Sequence, residues 1–153
     1  MAYAEDRPCF TVGVFQDADW ARRGLQALAR HGFSSDSLSI IAKESPEVAA
    51  LAQQTFGVAP ETSDVRGVGA VVAHGPLVKT LQGDNGGLST TGIAATMRRA
   101  GFQAHDGFIF ETLTTRGGIL VAIESEPRAA DALAVLHAYG GGNAAIGAWR
   151  GRV

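Results

Sequence analysis

The spacing of apolar residues changes period along this chain. Residues 10–15, F-T-V-G-V-F, are rich in β-branched and aromatic side chains and alternate in size, which predicts a strand. From Trp20 the apolar residues recur at three- and four-residue steps, through Ala21, Gly24, Leu25, Leu28 and Ala29, and predict an amphipathic helix. Asp17 or Asp19 can cap it, because a short carboxylate accepts hydrogen bonds from the free first-turn amides. Gly32 supplies the left-handed residue that ends the helix, and Phe33 can fold back on its last turn. The turn S-S-D-S then leads to a second strand, L-S-I-I-A at 38–42.

The far end of the chain repeats this unit. A single offset carries Val12 to Leu120, Asp17 to Ser125, Leu25 to Leu133, Leu28 to Leu136 and Gly32 to Gly140. The second unit, 118–149, has its strand at I-L-V-A-I, 119–123, with Ser125 as cap and Pro127 in the first turn, where a missing amide costs little. Its helix runs to Tyr139, breaks at Gly140, Gly141 and Gly142, and leads to a last strand at 144–149. Two strand–helix–strand units in series predict an α+β fold. The expected form is a ferredoxin-like βαβ-βαβ sheet of four antiparallel strands with two helices on one face.

The units at 10–42 and 118–149 are separated by an insertion, 43–117, that has no counterpart in the repeat. It opens with a short helix from Ser45-Pro46 to Gly57, passes through the small-residue stretch G-V-G-A-V-V-A-H-G-P-L-V-K-T-L, and reaches a turn at 83–87. Helices are predicted at 88–102 and 104–116. The ending R-R-A-G-F repeats the A-R-H-G-F that closes the first helix, as shared helix-stop chemistry would. The insertion therefore reads as helical and rich in glycine and alanine. At 153 residues the whole is one domain.

Composition narrows the function classes. Apolar residues make up 46% and charged residues 18%, as in an ordinary soluble domain, and the formal charge of −2 offers no basic excess to a phosphate backbone. No apolar run approaches the roughly 18 residues a membrane-spanning helix needs. A leader pattern is missing from the N-terminus, so a cytoplasmic location is expected, with neither nucleic acid nor membrane as partner. The single Cys9 allows no internal disulfide.

Chemistry-bearing motifs are sparse. RNA-recognition modules of this architecture carry stacking aromatics on the central strands. Here those positions are Thr11, Gly13 and Phe15, then Ile119, Val121 and Ile123. Copper carriers need a cysteine pair in the first loop, and Q-D-A-D at 16–19 has none. His105, Asp106 and Glu111 are the only local cluster of ligand types, and no metal site is expected. His74 stands among small apolar residues before Gly75-Pro76, where an imidazole wants a partner. The stretch at Gly67-Val68-Gly69 lacks the third glycine of a dinucleotide fingerprint. The turn at 83–87 could show amides to an anion, with Ser89 and Thr90 assisting, but reads first as a plain turn. No nucleophile has a recognisable base, so no catalytic residue and no cofactor is assigned.

The chain resembles the bacterial general stress protein family. The matching residues are V-G-V-F with Asp17, A-L-A-R-H-G-F at 27–33, L-S-I-I-A, H-G-P-L at 74–77, A-G-F at 100–102, and R-G-G-I-L-V-A-I at 116–123. The middle segment departs from the family's long membrane-like stretch, being short and interrupted by His74, Lys79 and Asp84. The resemblance implies a ferredoxin-like domain with a stress-associated role and carries no catalytic residues.

The strand at 119–123 is apolar on both sides, so the sheet face away from the two helices must also be covered. Insertion helices together with a second copy in a two-fold homo-oligomer are the expected cover. The first functional expectation is a non-enzymatic protein acting through protein association. The alternative is a sensor or carrier of a small molecule or metal, with a pocket where the insertion meets the open face, lined by Phe15, His74, Phe108 and Ile123. A dimeric ferredoxin-like enzyme comes third.

Overall fold

Residues 10–58, 61–124, 128–140 and 146–148 are described by the structure, a computed structural model. Six strands form one sheet: β1 (Phe10–Phe15), β2 (Leu38–Lys43), β3 (Thr62–Val65), β4 (Gly69–His74), β5 (Ile119–Glu124) and β6 (Ile146–Ala148). Their spatial order is β3-β4-β2-β5-β1-β6, and every neighbouring pair is antiparallel. The sheet separates two helical layers. On one face lie α1 (Ala18–Arg30), α2 (Pro46–Phe56) and α7 (Ala129–Ala138), and on the other lie α3 (Pro76–Gln82), α4 (Gly87–Thr91), α5 (Ile93–Arg99) and α6 (Ala104–Thr115). The fold is α+β.

The repeat is built into the centre of the sheet. Val12 pairs with Ala122 and Val14 with Leu120, while Gly13 lies opposite Val121, its own counterpart under the sequence offset. Such a register places a local two-fold axis at the Gly13–Val121 pair. The helix ends agree. The His31 amide donates to the carbonyls of Ala27 and Leu28, and the Tyr139 amide donates to those of Val135 and Leu136. Gly32 at φ +89° and Gly140 at φ +91° then leave the helix in the same left-handed conformation, which glycine adopts without a Cβ penalty. Arg30 donates to the Tyr139 hydroxyl at 3.2 Å and joins the two helix ends directly.

Cap chemistry fixes the first units where the sequence predicts. Asp17 accepts from the Trp20 amide at 2.9 Å, Ser45 from that of Val48 at 3.1 Å, and Gly57 ends α2 at φ +71°. Along α1 the buried positions are Ala21, Gly24, Leu25, Ala27 and Leu28, with Ala29 exposed. Gly24 is required by packing: a Cβ there would stand 2.8 Å from Cε1 of the fully buried Phe15. Ser125 and Pro127, the glycines at 141–142, the ends of the last strand and Cys9 lie outside the described residues.

The insertion departs from the expected all-helical segment. Residues 62–74 form the β3–β4 hairpin, which adds two strands beyond β2, so the sheet has six strands where four are predicted. Val71, Val72 and Ala73 are buried on alternate faces, and that removes the polar positions by which a half-exposed strand is recognised. The helix predicted over 88–102 is two helices, broken at Gly92 with φ +96°. At the end of α5, Gly101 is left-handed and Phe102 donates back to the Met97 carbonyl, the same closure that Gly32 and Phe33 make.

Helices α3 to α6 cover the second face unaided. Leu77, Leu81, Leu88, Ile93, Met97, Phe102 and Phe110 pack on Phe10, Val12, Val14, Ile41, Leu120 and Ala122. Removal of this much apolar surface from water stabilises the layer on the sheet. The exposed face that prompted the expectation of a second copy is filled from within the chain.

Candidate functional site

Strand β4 ends at His74, paired with Ile40 of β2, and the chain turns at once into α3. Gly75 makes the turn at φ +113°, and a Cβ there would stand 2.6 Å from Cα of Ser39. Pro76 opens α3 at a position where a missing amide costs nothing. The next amide, of Leu77, donates at 2.9 Å to the hydroxyl of Ser39, a fully buried residue of β2. This one bond satisfies both a buried hydroxyl and an orphan helix donor, and ties α3 to the sheet.

Beside that junction is a cleft of about 440 Å³. One wall is the end of α2 and the residue after its left-handed cap, Phe56 and Val58; the opposite wall is Val78 and Lys79 of α3. His74 lies between them and is 30% exposed. Its ring packs on Phe56 with centroids 4.2 Å apart, tilted by 43°. Its Nδ1 stands 3.8 Å from Oε1 of Glu61, an electrostatic contact longer than a hydrogen bond. Glu61 is held in place by its own carbonyl, which accepts from the Ala73 amide at 3.1 Å. Ser35 and Asp36, from the short 3₁₀ turn before β2, complete the rim. Among the described residues neither Asp36 nor Lys79 enters an ion pair. Ser35 shares the cleft with His74, although no hydrogen bond joins them among the described residues.

The four residues expected to line a pocket are not brought together. Phe15 and Ile123 are fully buried in the layer beneath α1 and α7, on the face opposite to α3–α6. Phe108 points outward from α6 at 63% exposure. Of the set only His74 lines the cleft, which lies at the end of the sheet and not over its face. The reason is the two-sided burial of the central strands: alternation separates Phe15 and Ile123 from Val12 and Leu120, but it does not say which set faces which helices.

The remaining candidates resolve into structural roles. Glu111 accepts at 3.0 Å from the Ala94 amide and so caps α5, whose N-terminal residue Gly92 has no side chain to do it. A Cβ on Gly92 would reach 2.9 Å from the Arg66 carbonyl. His105 is exposed, and among the described residues no group of three histidines, cysteines and carboxylates is placed to hold a metal. At the turn at 83–87 the Ser89 amide is already taken, donating to Gln82 Oε1 at 3.1 Å, while its hydroxyl accepts from Gln82 Nε2 at 3.0 Å. Thr90 bonds back to Gly86. Among the described residues no helix is long and apolar enough to cross a membrane. Comparison with protein-family models, with curated proteins and with solved structures finds no match for the chain.

Proposed function

We propose that this protein is a binding module for a small molecule, with the cleft beside His74 as its site. The observation that carries the reading is the cleft itself. Its volume of about 440 Å³ falls in the range of small-ligand sites, roughly 300–1,000 Å³. It also joins an aromatic surface to a few polar groups drawn from separate elements, the usual composition of such sites. The walls are anchored: Ser39 holds α3, the Ala73 amide holds Glu61, and Phe56 and His74 brace each other. A ligand would enter a formed site and spend little of its interaction energy on ordering the chain.

The frame around the site is read as ferredoxin-like. Strands β2-β5-β1-β6, with α1 and α7 on one face, have the order of a split βαβ pair, and the β3–β4 hairpin extends it at the β2 edge. The likeness to general stress proteins supports a cytoplasmic, stress-associated role in which the protein binds without turnover. Association between copies has less support, because its original motive was an uncovered apolar face.

The reading is tested by titrating the ¹⁵N-labelled full chain with a panel of neutral, anionic and cationic aromatic fragments. Amide shifts concentrated at residues 35–38, 56–58, 61 and 73–79 are expected. A panel that leaves those signals unmoved overturns the assignment.

A further inference from the structure

The groups lining the cleft also indicate what kind of molecule it takes. We infer that the ligand is a small organic cation with an apolar body, an inference that rests on the binding reading above. Three observations favour it. First, apart from the His74 imidazole, the charged lining residues are two carboxylates, Asp36 and Glu61, and one ammonium, Lys79. The local formal charge is therefore negative, and it repels an anion of similar shape. Second, among the described residues the one ion-pair contact made by any of these three is the 3.8 Å approach of Glu61 to His74, and the Glu61 carboxylate, 75% exposed, is open to a donor. Third, the Phe56 ring lies against the imidazole next to that carboxylate. A cation placed there gains attraction to the aromatic face as well as to the charge.

The rest of the lining fits the body of such a ligand. Leu38, Ala73, Pro76 and Val78 give the cleft an apolar floor and side, and Val58 is one of two large apolar residues exposed in the described chain. Lys79 does not reverse the preference. It is exposed, and its long flexible stem lets the ammonium stay in water away from a bound cation. The volume suits a single-ring or two-ring amine.

The test compares three probes of nearly one shape on the labelled full chain: 2-phenylethylamine, 2-phenylethanol and 3-phenylpropionate. The amine should shift the amides of residues 56–58, 61 and 73–79 and bind best, the anion worst. Glu61→Gln, an exposed and nearly isosteric change, should weaken the amine about twofold to fivefold and leave the alcohol unchanged. Lys79→Met should strengthen the amine by a smaller factor. If the alcohol or the anion binds at the cleft as well as the amine, or Glu61→Gln leaves amine binding unchanged, the cation inference falls and the cleft stands as a site of other chemistry. If none of the three moves the cleft signals, the inference falls. The broader fragment titration then decides separately whether the cleft binds any small molecule.

Discussion

The two faces of the sheet are covered in different ways. On one, α1 and α7 are related by the internal repeat, each a continuous amphipathic helix that ends in a left-handed glycine, and α2 lies beside them. On the other, three helices of five to seven residues and the longer α6 are joined at glycines 83, 86, 92 and 101, and no repeat relates them. Each layer packs a cluster of buried apolar side chains against the sheet, with Phe108 of α6 left exposed. Burial therefore does not depend on regularity. The repeated layer gets its order from local signals within each helix, whereas the inserted layer depends on partners supplied by other elements: Ser39 for α3, Gln82 for α4 and Glu111 for α5.

If the inserted layer is as integral as its burial implies, truncations in the two layers should have matching consequences. Phe110→Ala removes a fully buried ring that packs edge-on against Phe102 at 5.9 Å, and should cost about 3–5 kcal/mol. Leu28→Ala, in the repeated layer, should cost about 2–5 kcal/mol. Each should lower one cooperative transition in urea. A two-step curve for Phe110→Ala, with the α1 and α7 signals lost second, would show that the inserted layer melts alone. Gly24→Ala probes the repeated layer by overfilling. The methyl meets the Phe15 ring, and despite a helix-propensity gain of about 1 kcal/mol a net loss of about 1–2 kcal/mol is expected. Stability regained in Gly24→Ala combined with Phe15→Leu would place the loss at that contact. The smallest effect is at the α5 cap, where Glu111→Ala should cost about 1 kcal/mol and Glu111→Gln, which keeps an acceptor, clearly less. Equal losses in the two variants would mean that the cap is not what Glu111 contributes.

The same contrast separates what was legible from what was not. Asp17, Ser45, Gly32, Gly57 and Gly140 act on amides and carbonyls within a few residues of themselves, so their spacing is enough to read them. The β1–β5 register was not read from the sequence: the offset makes Gly13 and Val121 equivalent, and only the fold shows that they face each other. The β3–β4 hairpin was hidden by the absence of polar alternation in β4, and the break at Gly92 by apolar spacing that continues across it. The cleft was hidden for a stronger reason. Its lining comes from the 3₁₀ turn, α2, the segment before β3, β4 and α3, and only the hairpin brings them into register. Within the sequence, His74 before Gly75-Pro76 was the one available signal. Its partners, Phe56 and Glu61, became identifiable only once the chain was folded.

The pairing at the middle of the sheet also bears on how the molecule assembles. Phe10 lies opposite Glu124 and Phe15 opposite Ile119, so residues 16–118, about two thirds of the chain, are looped out between these two strands. Closing so long a loop carries a large entropic cost that only non-local contacts return, and such contacts slow folding. The β3–β4 hairpin and the α5–α6 pair, by contrast, join neighbours in sequence. On the folding route, then, the hairpin and helix pair of the segment that interrupts the repeat close at low cost, and the pairings of β1 with β5 and β6 across that segment close at high cost.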